Sequence, residues 1–254
     1  MKTATDIGLL FKRYALQSLR NPVWVFVGFS TPLLYLALFT PLLKHVLGAH
    51  GLPPNINVLD VFLPGILALL AFASGTGPGF TTIFELRAGV IERFRVTPAS
   101  RFAILVGPIL ASMVLMFAFD TVLVLVGAAF GFHVHLLGLL VLAVLTALLM
   151  VTMAAFSIAT ALITKDISSF AAIINGLNLP VLLLSGVLLS ISYGPLWMRI
   201  LAHLNPLYYL VEAARVLASG SFHGPHVWQA FAVLVPLCAL VLAWATNVFR
   251  RAVA

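Results

Sequence analysis

The sequence predicts an all-α membrane protein with six transmembrane helices, an N-terminal amphipathic interfacial helix, a charged cytoplasmic helix and short re-entrant external helices before the last span. Three observations predict it. Of 254 residues, 62% are hydrophobic and 8% charged, and mean hydropathy is +1.14, where a soluble domain carries about 25% charged residues. So few charges cannot cover a water-facing surface, so lipid is the solvent for most of the chain. Second, six stretches reach the roughly 20 apolar residues that a bilayer core demands. They are Val23–Leu43, Val61–Thr82, Phe102–Phe130, Leu136–Ile163, Phe170–Leu189 and Val227–Phe249. Third, the basic residues are one-sided. With six spans, one side holds Lys2, Lys12, Arg13, Arg20, Arg87, Arg93, Arg95, Arg101, Lys165, Arg250 and Arg251, and the other only Lys44, Arg199 and Arg215. Positive-inside bias then puts both termini in the cytoplasm. The length suits one transmembrane domain over residues 1–254.

The net charge of +7 and pI of about 10.1 come from scattered span ends rather than a patch, which argues against nucleic-acid binding. The single cysteine, Cys238, excludes a disulfide framework within the chain and a cysteine-based metal site. Residues Met1 to Arg20 have no compact apolar core, so the first apolar run reads as a retained span and not a cleaved signal.

Within residues 1–22, Ile7, Leu10, Phe11, Tyr14 and Ser18 recur at helical spacing, with Lys12, Arg13, Gln17 and Arg20 largely elsewhere on the wheel. This is a basic amphipathic helix for the inner leaflet, stopped by Asn21-Pro22; Leu9, Leu16 and Leu19 blur the pattern. Residues 83–101 carry Glu85, Arg87, Glu92, Arg93 and Arg95 among Leu86, Val90 and Phe94. That is a short amphipathic helix too charged for lipid, which lies in the interface or docks on a soluble partner. Thr97-Pro98 ends it. Residues 190–226 are external and apolar, broken by Pro195 and Pro206 into two helices too short to span. They read as helices that re-enter from outside. In the second of these, Leu207–Leu217, Glu212 and Arg215 are spaced to pair.

Three features together resemble a known family. One is the basic helix ahead of the first span. Another is LPGILALLAF leading into ELRAGVIERFRVTPASR, and the third is NPLYYLVEAAR, from Asn205 through Pro206, Tyr209 and Glu212 to Arg215, before the final span. With six spans, the chain resembles the ABC-2 type permeases, membrane subunits of bacterial ABC exporters, in the daunorubicin-resistance and nodulation-protein group. The resemblance implies a permease subunit in the bacterial inner membrane. It would pair with a second permease subunit, alike or different, and be driven by a separate ABC ATPase. It also implies that Glu85, Arg87, Val90, Ile91, Glu92, Arg93, Phe94 and Arg95 form a coupling helix docking on that ATPase. Substrate would pass between the two membrane halves along the second and fifth spans. The implied cargo is an amphiphilic or hydrophobic, drug-like molecule. A polysaccharide or lipid-linked glycan is the alternative, and a non-transporting membrane scaffold lies outside the transporter class.

The chain has no Gly-Lys pair and hence no P-loop, so ATP and its magnesium are expected on the partner, with no cofactor here. No catalytic constellation is evident, so an enzyme is not expected. The second span offers Phe72, Ser74, Thr76, Phe80 and Thr81, and the fifth Asn175, Asn178 and Ser185 near the kinking Pro180. These residues either line a pathway for an amphiphile or glue helices together. Asp120, mid-span, is either a substrate or gating contact or a partner for a helix carrying Thr146 or Thr152. No further ionisable residues continue a proton relay from it. All seven histidines fall on the outer side, where they are tolerated at an interface, and no metal site is expected. Topology is directly testable. Green fluorescent protein fused after Ala254 should fluoresce, and alkaline phosphatase fused there should stay inactive. A tag at Met1 should be inaccessible in intact cells, and finding the two ends on opposite faces overturns the six-span reading.

Overall fold

The computed structural model describes residues 2–20, 22–49, 58–90, 101–187, 191, 194–218, 220 and 224–252. Their regular structure is helical, with no strand among the described residues. In chain order the long elements are α1 (Lys2–Leu19), α2 (Pro22–Ala49), α3 (Val58–Ser74), α4 (Gly77–Arg87), α5 (Arg101–Ala129), α6 (Leu136–Thr164) and α7 (Ile167–Leu183). Then come α8 (Leu196–Ala202), α9 (Pro206–Ala218) and α10 (Pro225–Ala252). Four stretches are long and apolar enough to cross a membrane: Leu59–Arg87, which joins α3 to α4, Ala103–Ala129, Leu136–Thr164 and Pro225–Arg251. Phe26–Leu42 and Ile167–Leu183, within the expected first and fifth spans, are shorter apolar helices.

α6 is the axis of the bundle, with α3, α4, α5, α7, α9 and α10 all packed on it. Its sequence explains why. Small residues at Ala154, Ala155, Ser157, Ala159 and Ala161 are fully buried and admit close neighbours on several sides. Ala155 and Ala159 meet Ala245 of α10, where the Phe156 and Trp244 rings also meet, tilted by 31° with centroids 5.9 Å apart. A second cluster joins Ile83 of α4, Ala161 of α6, and Phe170 and Ile174 of α7. Its lock is the edge-on pair of Phe80 and Phe170, 4.8 Å apart.

The two short helices of the 190–226 segment behave differently. α9 buries Leu207, Leu210, Val211, Ala213, Ala214 and Leu217 against α3, α6 and α10. α8 instead leaves Leu196, Trp197 and Ile200 exposed. The sequence placed the fifth span up to Leu189; its helix ends at Leu183. A turn follows that buries Ser185, Gly186 and Val187, and Gly186 takes a φ of +74°.

The second span is not one helix. Gly75-Thr76-Gly77-Pro78-Gly79 breaks it, because Pro78 has no N–H to continue the ladder and its ring collides with the carbonyl four residues back. A Cβ on Gly75 would lie 2.5 Å from the Met153 Cβ, and one on Gly79 2.8 Å from the Ser157 carbonyl oxygen. Only glycine lets the broken segment lie this close to α6. The freed backbone groups find a partner there. The Ser157 hydroxyl lies 2.9 Å from the Gly75 carbonyl and 3.0 Å from its own Ala154 carbonyl. It also accepts the Gly79 N–H at 3.2 Å. Buried backbone groups without water need such a partner. Ser157→Ala strips it from both sides of the break, and the expected loss is about 1–3 kcal/mol. A fall in the thermal unfolding midpoint of the detergent-solubilised protein measures it.

Candidate functional site

The break aims α4 so that its charged end reaches two other elements. On one side is α1, whose Leu10 and Tyr14 are buried against Gly107 of α5. Arg13 Nη2 sits 2.8 Å from Glu85 Oε1, and the Tyr14 hydroxyl donates to Glu85 Oε2 at 2.6 Å. The Arg13 guanidinium also lies 5.4 Å from the centre of the Tyr14 ring. Glu85 is itself buried, at 7% exposure, so both its oxygens have partners where an unpaired carboxylate would be costly. Burial, followed by the Glu85 charge and hydrogen bond, pushes the Tyr14 phenol up from its ordinary value, with Arg13 opposing. Tyr14 therefore stays a donor.

On the other side, Arg87 Nη2 pairs with Asp166 Oδ1 at 3.0 Å. Asp166 is the N-cap of α7. Its Oδ2 accepts the Ser169 N–H at 2.9 Å and the Ser169 hydroxyl at 3.0 Å, and the Ser168 hydroxyl bonds the same oxygen. Those hydroxyl and amide donors, with a smaller share from Arg87, hold the Asp166 carboxyl well below its usual range. Of the expected coupling residues, Glu85 and Arg87 thus have partners in this chain, and Val90 is half-buried. Ile91, Glu92, Arg93, Phe94 and Arg95 lie outside the described residues. The span helix runs past Phe84 to Arg87 before a turn at 88–89, and most of the expected short helix lies outside the described residues.

The expected pathway residues divide. Ser74, Thr76, Phe80 and Thr81 line an open cavity of about 430 Å³ together with Gln17 and Ser18 of α1, Gly28 of α2, and Ser112 and Phe119 of α5. Phe72 is buried in the core. Asn175 and Asn178 are exposed on α7, whose residues do not line that cavity. Ser185 is buried, donating to the Leu182 carbonyl at 2.6 Å and accepting the Val187 N–H at 3.2 Å. Of these residues, only Ser74, Thr76, Phe80 and Thr81 share the cavity, and only Asn175 and Asn178 lie exposed on α7.

Asp120 Oδ1 is buried without a hydrogen-bond partner among the described residues. The Thr146 and Thr152 hydroxyls, considered for it from sequence, bond instead to the Ala143 and Leu148 carbonyls of their own helix. At the opposite end of the bundle, Asn205 caps α9 by accepting the Leu207 N–H at 3.0 Å, and it donates to the Val181 carbonyl of α7 at 2.7 Å. The Tyr209 hydroxyl donates to the His203 carbonyl at 3.0 Å, while Pro206 opens α9. Arg215 pairs with Glu212 at 2.9 Å, as their spacing foretold, and also donates to the Gly186 carbonyl. Sequence reasoning missed the pairing of Asp60 with His133. Asp60 Oδ1 accepts the His133 N–H and Oδ2 meets Nδ1, both at 3.0 Å. The two are 73 positions apart, and no local pattern marks them as neighbours.

The description of the ABC-2 type transporter family matches residues 5–218. A protein described as a transport permease, ycf38, from Cyanophora paradoxa is 34% identical over 218 residues, covering 85% of this chain and 75% of that protein. Its namesake from Porphyra purpurea is 25% identical over 223 residues, 85% and 75% of the respective chains. The daunorubicin resistance ABC transporter permease protein DrrB1 of Streptomyces coeruleorubidus is 25% identical over 228 residues, 86% of this chain and 76% of the relative.

The Asp166 geometry makes a pH prediction. A carboxyl held below its unfolded value stabilises the fold at every pH above about 3.9, and that contribution is lost as pH falls through the lowered value. Between pH 8 and pH 5, hydrogen exchange at the first turn of α7 should show no change attributable to Asp166. Asp166→Ala should speed that exchange throughout the same range.

Proposed function

Because the chain belongs to the ABC-2 type transporter family, and so is the membrane subunit of an ABC transporter, we propose that it carries an amphiphilic or hydrophobic cargo outward across a bacterial inner membrane. A separate ABC ATPase drives it, docked on the segment after α4. The observation that carries this reading is the double anchoring of the charged end of α4. That end leads directly into the charged run Glu92 to Arg95. It is tied to α1 through Glu85 and to the start of α7 through Arg87 and Asp166. A rigid-body step of a docked ATPase would therefore reach two other helices at once through paired charges rather than through a free loop.

Two further observations support the reading. Asn175 and Asn178 expose amides on an apolar helix whose Leu177, Leu179 and Leu183 are also exposed. Amides facing hydrocarbon are costly, and a second permease subunit covering α7 relieves that cost. Substrate then passes between the two subunits beside this face, in the six-span arrangement with both termini cytoplasmic. As to cargo, the Streptomyces relative is named for daunorubicin resistance, and the ycf38 relatives are named only as transport permeases. A drug-like amphiphile is the reading that this apolar, amide-bearing face favours.

The coupling assignment is tested with the purified ATPase partner in nanodiscs. Simultaneous charge reversal of Glu92, Arg93 and Arg95 should abolish ATPase binding, and persistent binding overturns the assignment. Arg87→Ala should leave binding intact but reduce substrate-stimulated ATP hydrolysis several-fold. Because Arg87 is exposed and its ion pair exposed on both partners, the variant should lose under about 1 kcal/mol of stability.

A further inference from the structure

The cavity among α1, α2, α3, α4 and α5 has a graded wall. Phe80 and Phe84 of α4 and Met116 and Phe119 of α5 make one part apolar, whereas Gln17 and Ser18 of α1 bring polar groups to another. Its volume, about 430 Å³, falls within the roughly 300–1,000 Å³ of small-molecule sites. Gln17 is shared with a second hollow on α1, lined by Arg13, Leu16, Gln17 and Arg20. An apolar recess thus runs into a basic rim through one amide side chain, and among the described residues no carboxylate lines either hollow. Glu85, next in sequence to the lining residue Phe84, is already engaged by Arg13 and Tyr14.

The outward face of α1 indicates what surrounds that rim. Leu9, Leu16 and Leu19, the residues that blur the amphipathic pattern, are 64%, 43% and 62% exposed. They share a face with Lys12, Arg13 and Arg20, since positions three, four and seven apart lie together on a helix. Such a face, leucines flanked by cations, belongs at the headgroup level of a bilayer. α1 therefore has two apolar faces, one packed on α5 and one for lipid, with the basic rim between acyl chains and headgroups.

We infer that this cavity binds one anionic phospholipid of the surrounding leaflet, with an acyl chain in the recess beside Phe80 and Phe119 and the phosphate at Gln17 and Arg20. The ligand chemistry is an apolar chain joined to an anion. Free phosphate matches only the rim, and a neutral apolar molecule only the recess. The occupied recess fixes the distance of α1 from α4, the helix that Glu85 ties to it. The site lies within one chain and does not depend on which cargo is carried or which ATPase drives it.

The test uses the full-length protein in nanodiscs. The probes are phosphatidylglycerol and phosphatidylcholine carrying the same photoreactive acyl chain, and labelled peptides are mapped by mass spectrometry. Phosphatidylglycerol should label the Phe80–Phe84 and Met116–Phe119 peptides at least about fivefold more than phosphatidylcholine, the factor one basic residue contributes at an anionic surface. Excess inorganic phosphate should not compete. Arg20→Glu, on the exposed face of α1, should remove the preference for the anionic lipid while leaving the thermal midpoint unchanged. Ser112→Trp should fill the recess and cut labelling of those peptides by either lipid, with labelling of α10 unchanged. Equal labelling by the two lipids in the wild-type protein overturns the inference, as does full competition by inorganic phosphate. If Ser112→Trp fails to fold, Thr81→Phe fills the same recess from α4, and undiminished labelling in that variant also overturns it.

Discussion

Hydrogen bonding of broken backbone inside an apolar bundle is the constraint on which the rest of this structure depends. A span can be interrupted only where another group takes up the freed amides and carbonyls. Here one hydroxyl, Ser157, faces both sides of the gap between α3 and α4. Ser157 sits in the run of small residues that lets α4 and α10 approach α6 closely. The position of the break then sets the course of α4. It presents Phe80 to Phe170 of α7 on one flank and opens the cavity toward α1, α2 and α5 on another.

The charges at the end of α4 illustrate how burial separates residues of similar sequence character. Glu85 and Arg87 lie two positions apart and so point to different sides of the helix. Glu85 turns inward, where its oxygens need both Arg13 and Tyr14. Arg87 turns outward to Asp166, a pair exposed on both sides and so of small energetic weight. The buried cluster fixes α1 in place, while the exposed pair contributes orientation more than stability. The opposite end of the bundle follows the same logic. There α7 ends early, and the carbonyls of Val181 in its last turn and of Gly186 in the turn beyond it are met by Asn205 and Arg215 of the NPLYYLVEAAR segment. The family-like motif near the last span is, in this chain, a clamp on the end of the fifth apolar helix.

Much of the fold was legible because lipid makes a severe demand on sequence. Each apolar stretch found from composition is helical over most of its described residues, α9 falls within one residue at each end of its expected range, and the Glu212–Arg215 pairing followed from helical spacing. The break in the second span was legible too, in Gly75-Thr76-Gly77-Pro78-Gly79. Proline between glycines reads as an interruption, but hydropathy averaged over a window passes over it. The grouping of candidate pathway residues was less legible. Hydroxyls and amides on two spans look alike in sequence, and only packing sends Ser74 and Thr81 to the cavity, Asn175 and Asn178 to the surface and Ser185 into a turn.

By itself, then, the sequence determined that the chain is helical, that it is a membrane protein, and which family it resembles. All three are properties of local composition, since a bilayer reads hydropathy and charge one segment at a time. Tertiary structure alone decided which residues meet across long separations: Arg13 and Tyr14 with Glu85, Arg87 with Asp166, Asp60 with His133, Ser157 with the broken span. The physical reason is that a helix leaves its rotation and depth against its neighbours to side-chain packing and to satisfaction of buried polar groups. Both belong to pairs of helices, and neither is a property of any single stretch.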